Sequence, residues 1–182
     1  MRLPRLPLTA SPLRAWIAPA LAGALALVGL RIWPEAELAV FAQGAARVAG
    51  GLIGAPVFPA PSGWMLPMFD GPVMVNAACS ATDFFLLAAV FLAQVLVRRR
   101  IHAAVSILGG VLLAVPFTLF VNGLRIVAVL QLHRWFLPHL PPAYGAILHL
   151  IVGTAVFLPG LILLHLVSER HARIRFFNSS RT

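Results

Sequence analysis

Three side chains in this sequence can do covalent chemistry together: Cys79, Arg125 and His149. A thiolate is a strong nucleophile; the usual thiol pKa of about 8.5 falls beside a cation and rises in apolar surroundings. A guanidinium can supply that cation, or donate to a developing oxyanion. An imidazole accepts and returns protons near neutral pH. Attack of cysteine on a carbonyl gives a thioester, which water or an amine then releases. The chemistry such a trio suits is acyl transfer or peptide cleavage. Singly, each residue has a plainer use. A lone cysteine in an apolar span packs as a small hydrophobe, and an arginine near a span end snorkels to the interface. A histidine inside a span is less neutral, because intramembrane ionisable groups are costly.

The elements that carry these residues are membrane elements. The chain of 182 residues is 60% hydrophobic and only 10% charged, with a mean hydropathy of +0.93. Soluble domains carry about 25% charged residues. The net charge of +9 comes from fourteen arginines, no lysine and five acids. Those arginines cluster beside apolar runs, at Arg2, Arg5 and Arg14, at Arg98–Arg100, and at Arg170, Arg173 and Arg175. That is the topology signal of cytoplasmic flanks, not a nucleic-acid surface. The partner it implies is the lipid bilayer. One cysteine excludes an intramolecular disulfide.

The expected fold class is all-α, a polytopic membrane helix bundle of about four transmembrane spans plus an outer amphipathic helix. Residues 1–14 read as a cytoplasmic tail, 15–170 as one membrane-embedded domain and 171–182 as a basic cytoplasmic tail. The first span is 15–33, a retained anchor without a small-x-small cleavage site. In residues 35–53, Leu38, Phe41, Ala45, Val48 and Leu52 recur at helical spacing, with Gln43 and Arg47 off the stripe. Five prolines make 54–75 a loop with room for a short extended piece. The second span is 79–97. A third runs from about 102 to 121, broken at Pro116 and at "NGLR", with a second short helix from Gly123. Residues 134–142 are a loop, and 143–167 the last span.

Depth then follows from counting. A helix rises 1.5 Å per residue and the hydrocarbon core is ~30 Å thick, so ~20 residues cross it. Cys79 lies 19 residues before Arg98, His149 lies 20 before Glu169, and Arg125 lies 25 after Arg100. With the arginine clusters in the cytoplasm, three separate segments deliver Cys, Arg and His to the same outer depth.

The residues around them resemble a known family. "ACSATDFF" (78–85), "NGLRI" (122–126) and "LHL" (148–150), in that order on separate segments, resemble the exosortase/archaeosortase family of membrane-embedded cysteine transpeptidases. The family pattern is a Cys followed by Ser and usually Gly, then Asn-x-x-Arg, then His in a later span. Asn76, three residues before the cysteine, is similar to the exosortase K subgroup. The resemblance implies Cys79 as nucleophile, Arg125 as oxyanion or thiolate partner and His149 as acid/base. Asn122 would orient Arg125 or bind substrate backbone. Substrates would be exported proteins with a C-terminal tripartite sorting signal: a Pro-Glu-Pro-like motif, a transmembrane helix and a basic tail. The setting would be the bacterial inner (plasma) membrane, with the site facing the periplasmic side. One position departs from the pattern, since Ala81 stands where glycine is usual.

Asp83 follows Cys79 by one helical turn, on the same face; it serves the site by hydrogen-bonding Arg125 or His149, or forms a structural ion pair inside the bundle. His133, His139 and His149 lack a carboxylate or second cysteine at ligand spacing, so no metal is expected. Without HExxH, GxSxG or a Walker loop, no zinc protease, common serine hydrolase or NTPase reading has support, and no cofactor is called for. Two other readings stand beside the enzyme. One is a non-catalytic envelope assembly subunit, the other a small transport component using Arg125 and His149 but not Cys79.

Overall fold

The computed structural model describes residues 12–68, 71–99, 101–136 and 144–179. The chain is mostly helical, with a small sheet set at one end. Helix α1 is Pro12–Ile32, and a tight break over residues 33–36 turns it into a π-helical segment, Glu37–Ala42, that continues as α2, Gln43–Ile53. Then come strands β1 (Phe58–Ala60), β2 (Gly63–Leu66) and β3 (Val73–Val75), a 3-10 turn (Ala77–Cys79), and helices α3 (Thr82–Arg98), α4 (Ala103–Phe136) and α5 (Tyr144–Ser179).

Three stretches are long and apolar enough to cross a membrane: Ala77–Arg98, Ala103–Leu132 and Ile147–Leu166. The pair Trp16–Ile32 and Glu37–Ile53, bent by 103°, passes the same test together, which makes up to four. A helical membrane bundle is compatible with this architecture. Its packing follows membrane rules, in which small residues let backbones approach and large apolar ones face outward. Ala18, Ala22 and Ala26 of α1 are buried, as are Ala88, Ala89 and Ala93 of α3, while Leu21, Leu25, Leu112 and Leu163 are exposed. A Cβ on Gly110 would come within 2.8 Å of the Ala93 Cβ and backbone nitrogen, so α3 and α4 pack at a distance only glycine permits there.

Several expectations are corrected. From Ala103 onward the segment is one unbroken helix, α4, and not a span followed by a second short helix. A proline inside an apolar helix removes one bond, and neighbouring helices absorb the defect; "NGLR" is fully helical. The helix also runs through residues 134–136, where a loop is expected from the sequence. Residues 54–75 hold a three-stranded antiparallel sheet, order β1-β2-β3, with Trp64 opposite both Pro59 and Val75. Proline fits because Pro59 is on an edge strand, where it need not donate to a neighbour. On α2 the buried positions are Ala45, Ala46, Ala49 and Gly50, continuing Phe41 and Ala42, whereas Leu52 is half-exposed. That face packs on α4, where a Cβ on Gly123 would collide with Val48. Helix α1 begins at Pro12 and α5 continues to Ser179, so backbone helix enters both segments expected as tails. Residues 1–11, 69–70, Arg100, residues 137–143 with His139, residues 180–182, and the side chains of 12–15, His133, Phe136, 145–146 and 167–179 lie outside what is described.

Candidate active site

Cys79 owes its position to the sheet. The strand β3 ends at Val75, which is buried with Leu66 between α2 and α4. The sheet is held to the π-helical segment by Trp64 Nε1, which donates to the Leu38 carbonyl at 3.2 Å. Gly63 lies at φ 155°, and a Cβ there would strike the Val75 carbonyl oxygen. Asn76 then caps the 3-10 turn, its Oδ1 accepting from the Ala78 N–H at 3.1 Å. The Cys79 N–H donates to the Asn76 carbonyl at 2.9 Å. The reason Asn76 matters is therefore local: it shapes the turn that presents the cysteine.

After Cys79 the backbone turns sharply into α3. Ala81 has φ 56° and ψ 37°, the left-handed region, and among the described residues no other non-glycine has positive φ. An L-residue pays roughly 1–2 kcal/mol there. The position where the resemblance expects glycine is thus the one where glycine is physically favoured. Its carbonyl accepts from the Phe85 N–H at 3.0 Å, starting the helix. Cys79 consequently sits on a strand-to-helix elbow, not on the helix itself. The expected shared helical face with Asp83 does not exist; Asp83 is exposed in the first turn of α3.

Asn122 and Arg125 stand one turn apart on α4. Asn122 is fully buried, and its Nδ2 donates to the Cys79 carbonyl at 2.5 Å. It holds the cysteine turn against α4, a partner that motif spacing did not indicate. Its Oδ1 is buried without a hydrogen-bond partner. Arg125 is held by aromatic contacts. Its Cζ lies 5.4 Å from the centroid of Phe157, which stacks on Phe84 at 4.4 Å and 15°. Gly153 leaves it room, since a Cβ there would approach Nε to 3.4 Å. That Nε is buried and has no hydrogen-bond partner. A buried guanidinium donor left open is costly unless something accepts from it.

Two cavities meet at Arg125 and His149. The smaller, about 250 Å³, is lined by Cys79, Arg125 and His149 with Met74, Ile126 and Val129 among its apolar walls. The larger, about 750 Å³, is lined by Arg125 and His149, by Glu37, Ser80 and Asp83, and by an apolar wall that includes Phe157. Of the predicted site residues, Cys79, Arg125 and His149 share one cavity, Asp83 lines the neighbouring one, and Asn122 and Asn76 support the turn. Sequence reading missed Glu37, Gly153, Phe84 and Phe157. Gly153 and Phe157 follow His149 at i+4 and i+8, so a scan of that helix face would find them. Among the described residues, no three His, Cys, Asp or Glu side chains group as a metal site.

The class so defined is a mostly helical protein with three helices, or up to four, apolar and long enough to span a membrane, and a largely apolar cavity lined by Cys79, Arg125 and His149. Comparison with protein-family models, curated proteins and solved structures finds no match to this chain.

Proposed function

We propose that this chain is a membrane-embedded cysteine transpeptidase or protease of the exosortase type, working at the outer face of a bacterial inner membrane. Its substrates are exported proteins with a C-terminal tripartite signal. The observation that carries the reading is the shared cavity of Cys79, Arg125 and His149, which come from three segments separated in sequence by 46 and 24 residues. The buried, unpartnered Nε of Arg125 supports it, because an oxyanion forming at the cysteine would satisfy that donor.

In this mechanism the Cys79 thiol gives its proton to His149 as its sulfur bonds to the substrate carbonyl carbon, while Arg125 donates to the oxygen. The amide C–N bond then breaks, and His149 protonates the departing amine. Water or an amine attacks the resulting thioester and gives its proton to His149, and the thiolate leaves. Asn122 keeps the elbow in register, and the larger cavity receives the rest of the substrate segment.

The test is co-expression with a reporter bearing a tripartite tail. Cys79→Ala and Arg125→Gln are expected to abolish the shortened product seen on a gel. Normal processing by Cys79→Ala removes the mechanism. A cysteine that is dispensable while Arg125 and His149 are required points instead to a transport component. Orientation is read separately: Cys79 is the sole thiol, so a membrane-impermeant maleimide should label it on intact spheroplasts. Labelling only after lysis reverses the topology.

A further inference from the structure

The two chambers that meet at Arg125 and His149 differ in chemistry, and the smaller carries Cys79. Beyond the trio, its described wall is Val73, Met74 and Val75 of β3 and Ile126, Val129 and Leu130 of α4, all apolar. The larger chamber instead has Glu37, Ser80, Thr82 and Asp83 in its wall. Arg125 and His149 line both, so they stand at the junction. The apolar pocket lies on the β3 side of that junction.

Regular structure sets the pocket wall. Val129 stands one turn beyond Arg125 on the same face of α4. Ile126 and Leu130, beside it, are buried in the cluster that also holds Val75. Met74, 39% exposed, adds wall from the strand that ends just before the cysteine turn. The pocket encloses about 250 Å³. An apolar cavity of about 150 Å³ holds a benzene-sized group, so this one has room for a side chain up to phenylalanine. A charged side chain entering it would give up its water. Arg125 is the only permanently charged group in the described wall, and the proposed reaction commits that donor to the oxyanion.

We propose that the smaller chamber is the pocket for the substrate residue whose carbonyl Cys79 attacks, and that it selects an apolar side chain no larger than phenylalanine. The residues after the scissile bond lie in the larger chamber. The inference rests on the transpeptidase reading of this site and adds where the substrate is cut. In a Pro-Glu-Pro-like signal the broken bond follows an apolar residue and not the glutamate. Val129 on α4 and Met74 on β3 set the pocket's capacity.

The reporter assay tests this once the cut is located. Mass spectrometry of the released C-terminal fragment gives its first residue, and so the residue before the cut, which is expected to be apolar. That position is then replaced in turn by leucine, phenylalanine, alanine, glutamate and lysine, and processing rates are compared. Leucine and phenylalanine reporters should run about ten-fold faster than alanine, as burial of their apolar surface requires. Glutamate and lysine reporters should run about 100-fold slower than leucine, because each brings an unpaired charge into the pocket. Val129→Phe fills the pocket from α4 and should lower the phenylalanine-to-alanine rate ratio about ten-fold. Met74→Phe, at a position exposed enough to fold with a larger side chain, should lower the same ratio from the β3 wall. The wild-type series alone decides the side-chain class, and the variants locate the pocket. A reporter that the wild type leaves whole, or that Cys79→Ala cuts, removes the transpeptidase reading and the pocket with it. Cysteine-dependent cutting that follows a charged residue, or that accepts glutamate as well as leucine, overturns the pocket alone. So does a phenylalanine-to-alanine ratio that neither variant changes.

Discussion

Replacing Asn122 by leucine separates stability from site geometry. The wild-type side chain donates to the Cys79 carbonyl and leaves its own Oδ1 unpartnered. Removing the donor loses a net bond of about 1 kcal/mol and strands a carbonyl, at a cost of about 1–3 kcal/mol. Removing Oδ1 relieves a buried acceptor of similar cost, so the two desolvation effects offset. Asn122→Leu is therefore expected to unfold within about 1 kcal/mol of wild type, the value of the bond itself. Asn122→Asp puts a carboxylate against a carbonyl in a fully buried site, and should cost about 3 kcal/mol or more. The elbow holding half-buried Cys79 loses its tie to α4 in both. A 1 kcal/mol cheaper local opening is about a five-fold higher open population. Maleimide labelling of this sole thiol in detergent should accelerate by that factor in Asn122→Leu, while its unfolding midpoint falls by no more than about 2–4 °C. Unchanged labelling, or an Asn122→Leu protein destabilised as much as Asn122→Asp, refutes the argument that Asn122 acts on the cysteine turn.

Three further outcomes follow from single residues. Ala81→Gly relieves the left-handed strain of φ 56°; against the added freedom of the unfolded glycine it should stabilise by about 0.5–1 kcal/mol, measurable as a rise in unfolding midpoint. Gly63→Ala drives a Cβ into the Val75 carbonyl, and should displace β3 and the turn after it, so that thermal stability and Cys79 labelling both change. Phe157→Leu removes the stack on Phe84 and the face beneath Arg125; a loss of about 1–2 kcal/mol is expected, together with a lower processing rate in the reporter assay.

Much of the scaffold was legible because apolar runs and arginine flanks are local properties. The ends of α1, α3 and the apolar part of α5 fall near the boundaries read from composition. What failed were local features that distant contacts decide. The sheet escaped because its strands are only three or four residues long, and a proline on an edge strand looks like loop until its partner is known. The interruption assigned to "NGLR" failed because asparagine and glycine break isolated helices, whereas here Asn122 is occupied by Cys79 and Gly123 by close packing against Val48. Helical spacing marks Leu38, Phe41, Ala45, Val48 and Leu52 as one stripe; Phe41 and Ala45 are buried but Leu52 is not, because small residues are what bury between close helices.

The sequence by itself supplied a ruler. Backbone hydrogen bonds hold the helical rise constant, so counting 19, 25 and 20 residues from the charged flanks gives the expectation that Cys79, Arg125 and His149 reach one outer depth. Azimuth, and therefore encounter, was decided only by the tertiary structure. Which faces of α4 and α5 turn toward the elbow depends on where glycines and alanines let the helices close. The elbow itself depends on a sheet, a capping Asn76 and a left-handed Ala81, all held by contacts between residues far apart in the chain. Residues at one depth become a cavity only when packing turns them toward each other, and periodicity carries no record of that rotation.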